Sequence, residues 1–203
     1  MAARATVKPV LCEILPLGEK IRQRAQEIYL QRGGRDGSEL DDWLQQIEFS
    51  PIGMVHSTVV EPVDDMWGGV QSRIDLDSSR FTSDCLLGLA DFSHVEVVFF
   101  FHRVPESDIA TGSRHPRNRL DSPKVGIFVQ RGKNRPNRIG VTICRLLSVE
   151  DLSLEVDGLD AIDGTPVLDI KPYMREFAAR GEIRQPRWVD ELMRGYWENT
   201  YFG

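Results

Sequence analysis

Nowhere does the chain hold an apolar run approaching the roughly 18 residues that a membrane-spanning helix requires, so no helical span and no membrane partner are expected. The N-terminus lacks the charged-then-apolar profile of a signal peptide, because Glu13, Pro16 and Glu19 interrupt any apolar stretch there. The expected location is the cytoplasm. Cysteine is scarce: Cys12, Cys85 and Cys144 are odd in number, far apart and in no Cys-x-x-Cys pair, which argues against a disulfide framework and against a thiolate zinc site. The four histidines, His56, His94, His102 and His115, fall in no His-x-His or His-Glu-x-x-His arrangement, and no metal is expected.

What is present is enough for one sizeable core with an appendage, since 203 residues carry 41% hydrophobic side chains. The formal net charge of −6 conceals an uneven distribution. Residues 51–102 hold two Lys and Arg against eight Asp and Glu, residues 103–145 hold ten against three, and residues 146–203 hold six against twelve. An acidic chain with one concentrated basic block suits selective binding of a polyanion, with local attraction for phosphates but no general field. Nucleic acid is thus a candidate partner, and pairing of these arginines with the acidic segments on either side is the alternative.

The basic block centres on Val125 to Gly140, VGIFVQRGKNRPNRIG. Val125, Ile127 and Val129 alternate with Gly126, Phe128 and Gln130, which predicts a strand, and Arg131, Lys133, Arg135 and Arg138 follow on one rim. Pro136 restricts Arg135 to extended backbone and Asn137 favours a turn, so a shaped loop is expected before the alternation resumes at Ile139, Val141 and Ile143. Arg117 and Arg119 in the long polar loop from Arg103 to Lys124 add to the rim.

Before this block, residues 1–18 show no clean period and read as an extended arm. Ile21, Ala25, Ile28 and Tyr29 predict a helix over 19–31, ended by Gly33-Gly34; Ser38 with Asp41 reads as a capping box opening a second helix through Leu40, Trp43, Leu44 and Ile47. This hairpin, QRGGRDGSELDDWLQ, resembles a small bacterial helical domain of unknown function. After Ser50-Pro51 come short β-rich runs, Ile52 to Val60 and Val70 to Leu76, with Trp67 beside Gly68-Gly69 between them. Leu89 to His102 reads as a strand buried on both faces that ends in His102. Arg145 to Val156 predicts an alternating strand pair, and DGTPVLDIKPY, Asp163 to Tyr173, a tight turn feeding a strand. Beyond Pro186, Trp188, Val189, Leu192 and Met193 share one helical face. The fold class expected is mainly β: a small antiparallel β-barrel with an N-terminal helical hairpin and C-terminal helices. The domains would be 1–49, 50–175 and 176–203.

Four motifs in order, FSHV with its apolar strand and histidine, VGIF followed by an arginine, RPNRIG, and DGTPVLDIKPY, resemble the TsaA-like family, whose characterised members are the TrmO tRNA methyltransferases. The resemblance covers roughly residues 51 to 175. It implies a β-barrel, unrelated to the Rossmann methyltransferases, that binds S-adenosyl-L-methionine, forms a homodimer and methylates N6 of threonylcarbamoyladenosine at position 37 in the tRNA anticodon loop. The absence of Gly-x-Gly-x-x-Gly after any strand agrees with a non-Rossmann cofactor site.

Position by position, the resemblance implies cofactor contacts at Phe101 and His102, at Arg131 and Val141, and at the turn Asp163, Gly164, Thr165 and Pro166. Two departures stand out. The family's Pro-Arg-Gln segment is replaced by PVDDMWGGVQSRI, where Trp67 and Gly68 take its place, and its RPNPIG is RPNRIG, with Arg138 for proline. Arg117, Arg119, Lys133, Arg135 and Arg138 would meet RNA. Methyl transfer from a sulfonium chiefly needs positioning and exclusion of water, while the acceptor nitrogen must lose a proton, for which Asp169, Tyr173 and His102 are candidates. Alternative readings are a barrel that binds S-adenosyl-L-methionine or RNA without turnover, a methyltransferase acting on another nucleoside or a small molecule, and a metal-dependent enzyme using His94, His102 and His115.

Overall fold

The computed structural model describes residues 48–198, together with residues 26, 27, 29 and 30. The chain divides into two units, residues 1–49 and 50–203. In the first, residues 26, 27, 29 and 30 are helical and exposed, within the helix expected over 19–31. The rest of that helix, the extended arm, the Ser38 capping box and the second helix lie outside the described residues.

The second unit is built on alternation. Strands β1 (Gly53–Ser57), β2 (Gln71–Leu76), β3 (His94–Phe100), β6 (Ile139–Glu150), β7 (Ser153–Asp157) and β8 (Pro166–Pro172) close a barrel in the order β1-β2-β7-β6-β3-β8. Every pairing is antiparallel, and β1 with β8 closes the ring at Gly53↔Val167 and Met54↔Pro166. Because side chains on a strand point alternately to the two faces, Ser72, Ile74 and Leu76 of β2, Val95, Val97 and Phe99 of β3, Gly140, Thr142 and Cys144 of β6, and Leu154 and Val156 of β7 all face inward and are buried. Phe99, Ile74 and Leu154 are the largest fully buried side chains, each worth about 1.5–3 kcal/mol on transfer from water. Gly140 makes the packing possible. A β-carbon there would stand 2.4 Å from Cε2 of Phe99, so the Phe99 ring occupies the place of its neighbour's side chain.

Bulges in β3/β8 between Val98 and Phe99, and in β6/β7 between Leu146 and Ser148, supply the local bending that a closed sheet of six strands needs. Gly53 allows the opposite kind of approach, of backbone to backbone: a β-carbon there would meet the Asp75 carbonyl oxygen at 2.4 Å.

Three expectations change. Val125 to Gln130 is not a strand: only β5 (Val125–Gly126) pairs, with β4 (Ser113–Arg114), and Ile127–Val129 turns as a 3-10 helix. Ile127 is anchored inside, its N–H donating to the Gly112 carbonyl at 2.9 Å, while Phe128 and Val129 are 77% and 58% exposed. The Gln130 side chain then donates to the carbonyls of Arg114 and Val125, both at 3.3 Å, and locks the turn. The strand expected from Leu89 to His102 is shorter than read. Leu89–Asp91 is a 3-10 turn, β3 ends at Phe100, and only alternate residues of β3 are fully buried, the residues between them being half-buried. The C-terminal helix α1 (Arg187–Leu192) is six residues long, followed by a turn through residue 197.

Candidate functional site

The end of the barrel where β3 exits and β8 begins carries a cavity of about 110 Å³. Trp67, Phe101, His102, Asp160 and Thr165 contribute to its wall from three separate segments. At the exit of β3 the Phe101 N–H donates to the Arg138 carbonyl and the His102 N–H to the Phe100 carbonyl, both at 2.8 Å, which turns the chain and sets the imidazole at the rim. Burial lowers the His102 pKa from its ordinary 6.5, and the Arg103 guanidinium pushes the same way, so the ring is neutral near pH 7. Trp67 is almost fully buried and donates its backbone N–H to the Tyr196 carbonyl at 2.9 Å.

The turn before β8 is shaped by Gly164, whose φ of 74° is in the left-handed region that glycine tolerates. Its N–H donates to the Val55 carbonyl at 2.9 Å, and its bare face looks toward His102: a β-carbon there would stand 3.9 Å from Nε2. Thr165 is buried. Asp163 points elsewhere, accepting a hydrogen bond from the Ser57 N–H at 3.1 Å, with His56 Nδ1 3.9 Å away.

The sequence-derived residues therefore divide. Trp67, Phe101, His102 and Thr165 meet at the cavity, and Gly164 lies behind His102. Arg131 and Val141 meet each other, Arg131 Nη2 donating to the Val141 carbonyl at 2.7 Å, but line no part of the cavity. Gly68, Asp163 and Pro166 adjoin cavity residues in the chain without lining it. Asp169 and Tyr173 are not brought to it. Asp169 pairs with Lys171, and the Tyr173 N–H donates to the carbonyl of His94, at the far end of β3 from His102. His94 and His102 are likewise separated by the length of β3, and among the described residues no three His, Cys, Asp or Glu are grouped to hold a metal ion.

Asp160 was absent from the sequence reading. One of its oxygens accepts from Thr142 Oγ1 and the other from the Tyr196 hydroxyl. Burial and this carboxylate push the Tyr196 phenol far above its usual range; burial first, then Asp160, push the Cys144 thiol up to about 12. The available signal was its position three residues before Asp163 in LDAIDGTP; its partners are too far away in the chain to be read from spacing.

A second, polar cavity of about 470 Å³ adjoins the first, sharing Asp108, Lys133 and Asn134. Of the five rim cations, Arg117 and Lys133 line it. Arg117 is held tightly: Nη1 lies 2.6 Å from Asp65 Oδ2, Nη2 donates to the Asp64 carbonyl at 2.8 Å, and the guanidinium lies over the Tyr196 ring. Lys133 is 3.5 Å from Asp64, and Arg119 pairs with Asp121. Arg135 and Arg138 bond to backbone instead, donating to the carbonyls of Gln130 at 3.1 Å and Val104 at 2.9 Å. Arg138 has φ of 52°, a conformation closed to a proline with its fixed φ near −65°, so RPNRIG differs from RPNPIG in backbone as well as in charge.

Comparison with known proteins adds five findings. The sequence model of a family described as tRNA-methyltransferase O N-terminal domain matches residues 63–179. A second, described as protein of unknown function (DUF2934), matches residues 16–45. A tRNA (adenine(37)-N6)-methyltransferase of Homo sapiens is 41% identical over 101 residues, 50% of this chain and 22% of the human one, and a probable S-adenosyl-L-methionine-binding protein of Pyrococcus abyssi is 32% identical over 139 residues, 67% of this chain and 73% of that one. A crystal structure of TrmO from Pseudomonas aeruginosa superposes with a TM-score of 0.56 at 31% identity, covering 70% of this chain and 62% of the other. The chain thus spans about a fifth of the length of the human relative it matches.

Proposed function

The chain belongs to the family of the tRNA-methyltransferase O N-terminal domain, and from that membership we propose that it transfers a methyl group from S-adenosyl-L-methionine to N6 of adenosine 37 in tRNA, with threonylcarbamoyladenosine as the acceptor. The observation that carries the reading is the meeting of Trp67, Phe101, His102 and Thr165 in one cavity beside the Asp163–Pro166 turn. The residues fit the cofactor, since the two aromatic side chains Trp67 and Phe101 offer flat apolar walls. A volume of about 110 Å³ is below the usual 300–1,000 Å³ of a ligand pocket, so part of the ligand would lie in the adjoining polar cavity.

When bound, the cofactor supplies an electrophilic methyl group on a sulfonium. Trp67 and Phe101 would exclude water from that methyl, and the shared wall of Lys133 and Asn134 would align the acceptor entering from the larger cavity. His102 is the candidate base for the N6 proton: it lines the cavity and is neutral at physiological pH, whereas Asp169 and Tyr173 are displaced from it. Asp163, Pro166, Gly68, Arg131 and Val141 would support the walls, and Arg119, Arg135 and Arg138 with Lys133 would meet RNA phosphates. Residues 50–175 would form the catalytic domain, in a cytoplasmic homodimer, with residues 1–49 as an accessory module.

The direct test is nucleoside mass spectrometry of tRNA from a strain lacking the protein, with and without the wild-type chain restored. Loss and recovery of the N6-methyl form of threonylcarbamoyladenosine is expected. An unchanged nucleoside profile, with purified protein that binds S-adenosyl-L-methionine, would move the acceptor to another nucleoside or a small molecule; sedimentation at the 23.1 kDa monomer mass would remove the dimer.

A further inference from the structure

The wall of the smaller cavity carries a carboxylate, Asp160, that forms no ion pair among the described residues. Asp160 is partly buried between β7 and β8, and both of its hydrogen-bond donors, Thr142 Oγ1 and the Tyr196 hydroxyl, are neutral. Among the described residues it joins none of the ion pairs. Three cations near the cavity have carboxylate partners of their own, Arg103 at Glu61, Lys133 at Asp64 and Arg117 at Asp65, while Arg131 bonds the neutral Val141 carbonyl and acts with Arg117 on Tyr196 without pairing with Asp160. The other carboxylate on this wall, Asp108, is exposed, where water screens it.

A carboxylate removed from water costs free energy that two hydroxyl donors recover only in part. Its negative potential is felt by its neighbours, since it contributes to the raised pKa values of both Tyr196 and Cys144. The phenol therefore stays protonated and remains a donor. A carboxylate has about four lone-pair sites, so the two hydroxyls fix both oxygens while leaving acceptor capacity toward the cavity. The arrangement holds a negative charge in place for a positive ligand group.

We propose that Asp160 is the counter-charge for the cationic part of the methyl donor, its sulfonium or its α-ammonium, and that Thr142 and Tyr196 orient it. The inference rests on the cavity being the cofactor site. It also gives the site a means of telling donor from product: once the methyl has left, the sulfur is neutral, and any attraction to the sulfonium is gone.

Calorimetric titration of the wild type and of Asp160→Asn with S-adenosyl-L-methionine, S-adenosylhomocysteine and 5′-methylthioadenosine tests this. The last has neither charge. Asp160→Asn is expected to weaken the methyl donor about tenfold or more and to leave 5′-methylthioadenosine unchanged. S-adenosylhomocysteine keeps its affinity if the sulfonium is the group read, and falls alongside the donor if it is the ammonium. Unchanged donor affinity, or parallel loss of all three ligands, overturns the proposal. Should Asp160→Asn fail to fold, Tyr196→Phe decides: it keeps the carboxylate but frees one oxygen, so a severalfold loss for the donor with 5′-methylthioadenosine unchanged supports the role, and no loss or an equal loss of all three overturns it. Wild-type protein that binds none of the three removes the cofactor reading and this proposal together. Wild-type binding with an indifferent Asp160→Asn removes this proposal only.

Discussion

His102 combines a rim position with a neutral imidazole, and its pH dependence has a definite sign. Its folded pKa is depressed below the ordinary 6.5, by burial first and by Arg103 second. Unfolding therefore takes up a proton in the window beneath 6.5, and the stability this group contributes is fully present above 6.5 and lost as pH falls through the folded pKa. The ring is only partly covered, so the stability effect is small, but the rate effect is not. With His102 as the base, kcat/KM should decline on the acid side with a midpoint below 6.5, and His102→Gln should lower the plateau about 10²–10⁴-fold and abolish that limb. A methylation pH profile of the two proteins checks it; an identical limb in the variant would assign the proton transfer elsewhere.

Among the elements, β3 and β6 carry the site, because they hold both the inward aromatic rings and the exit that places His102. Gly140 on β6 is the weak point of that pairing. Its missing side chain is filled by Phe99, with Phe101 Cζ 3.0 Å from where a β-carbon would be, and the two rings pack edge to face at 5.3 Å. Gly140→Ala must push the Phe99 ring, and Phe101 borders the cavity, so overpacking should cost about 1–3 kcal/mol and also weaken cofactor binding. Chemical denaturation with parallel calorimetry reads both, and a stable variant with full affinity would show that the rings relax without disturbing the wall. Strands β2 and β7 were legible because an interior on one side writes a period of two into them, whereas in β6 the apolar alternation of Ile139, Val141 and Ile143 lies on the outer face and Gly140, Thr142 and Cys144 face inward. Residues 125–130 show the same period for a different reason: Ile127 alone is anchored, and alternation with one buried residue does not specify a strand. Half of the site was legible through motifs that fall at strand ends. Asp160 was not, because Thr142 and Tyr196 reach it from 18 and 36 residues away, a proximity that only the closed barrel and the returning tail create. Asp169 and Tyr173 share a motif with the turn but not its location, since β8 carries them away from the cavity.

For the whole molecule, the question is what the basic block between two acidic ones does. Part of it is internal: Arg117 is 16% exposed and bridges the barrel-end loop at Asp64 and Asp65 to the tail at Tyr196, and Asp65 Oδ1 is buried with no partner of its own. Removing that guanidinium would leave a poorly hydrated carboxylate behind, so Arg117→Gln should destabilise the fold by about 1–3 kcal/mol. Arg135 and Arg138 differ. Each gives one nitrogen to a backbone carbonyl, the Arg138 guanidinium also lies over the Phe100 ring, and among the described residues neither is paired with a carboxylate, so the charge of both is left unneutralised. RNA phosphates are the partner that this free charge fits. Each phosphate contact contributes about −0.7 to the slope of log affinity against log salt for a single strand, so Arg135→Gln with Arg138→Gln should weaken tRNA binding and flatten that slope by about 0.7–1.4. Binding isotherms at several salt concentrations measure it, with cofactor titration as the control. Arg131→Gln is the control on that slope, because its guanidinium bonds the backbone of β6 at Val141 and the substitution should leave the salt dependence unchanged. Were the double variant to keep both the wild-type tRNA affinity and the wild-type slope, the rim would be a structural network like that of Arg117, and the methyl acceptor would have to be small enough to need no phosphate contact.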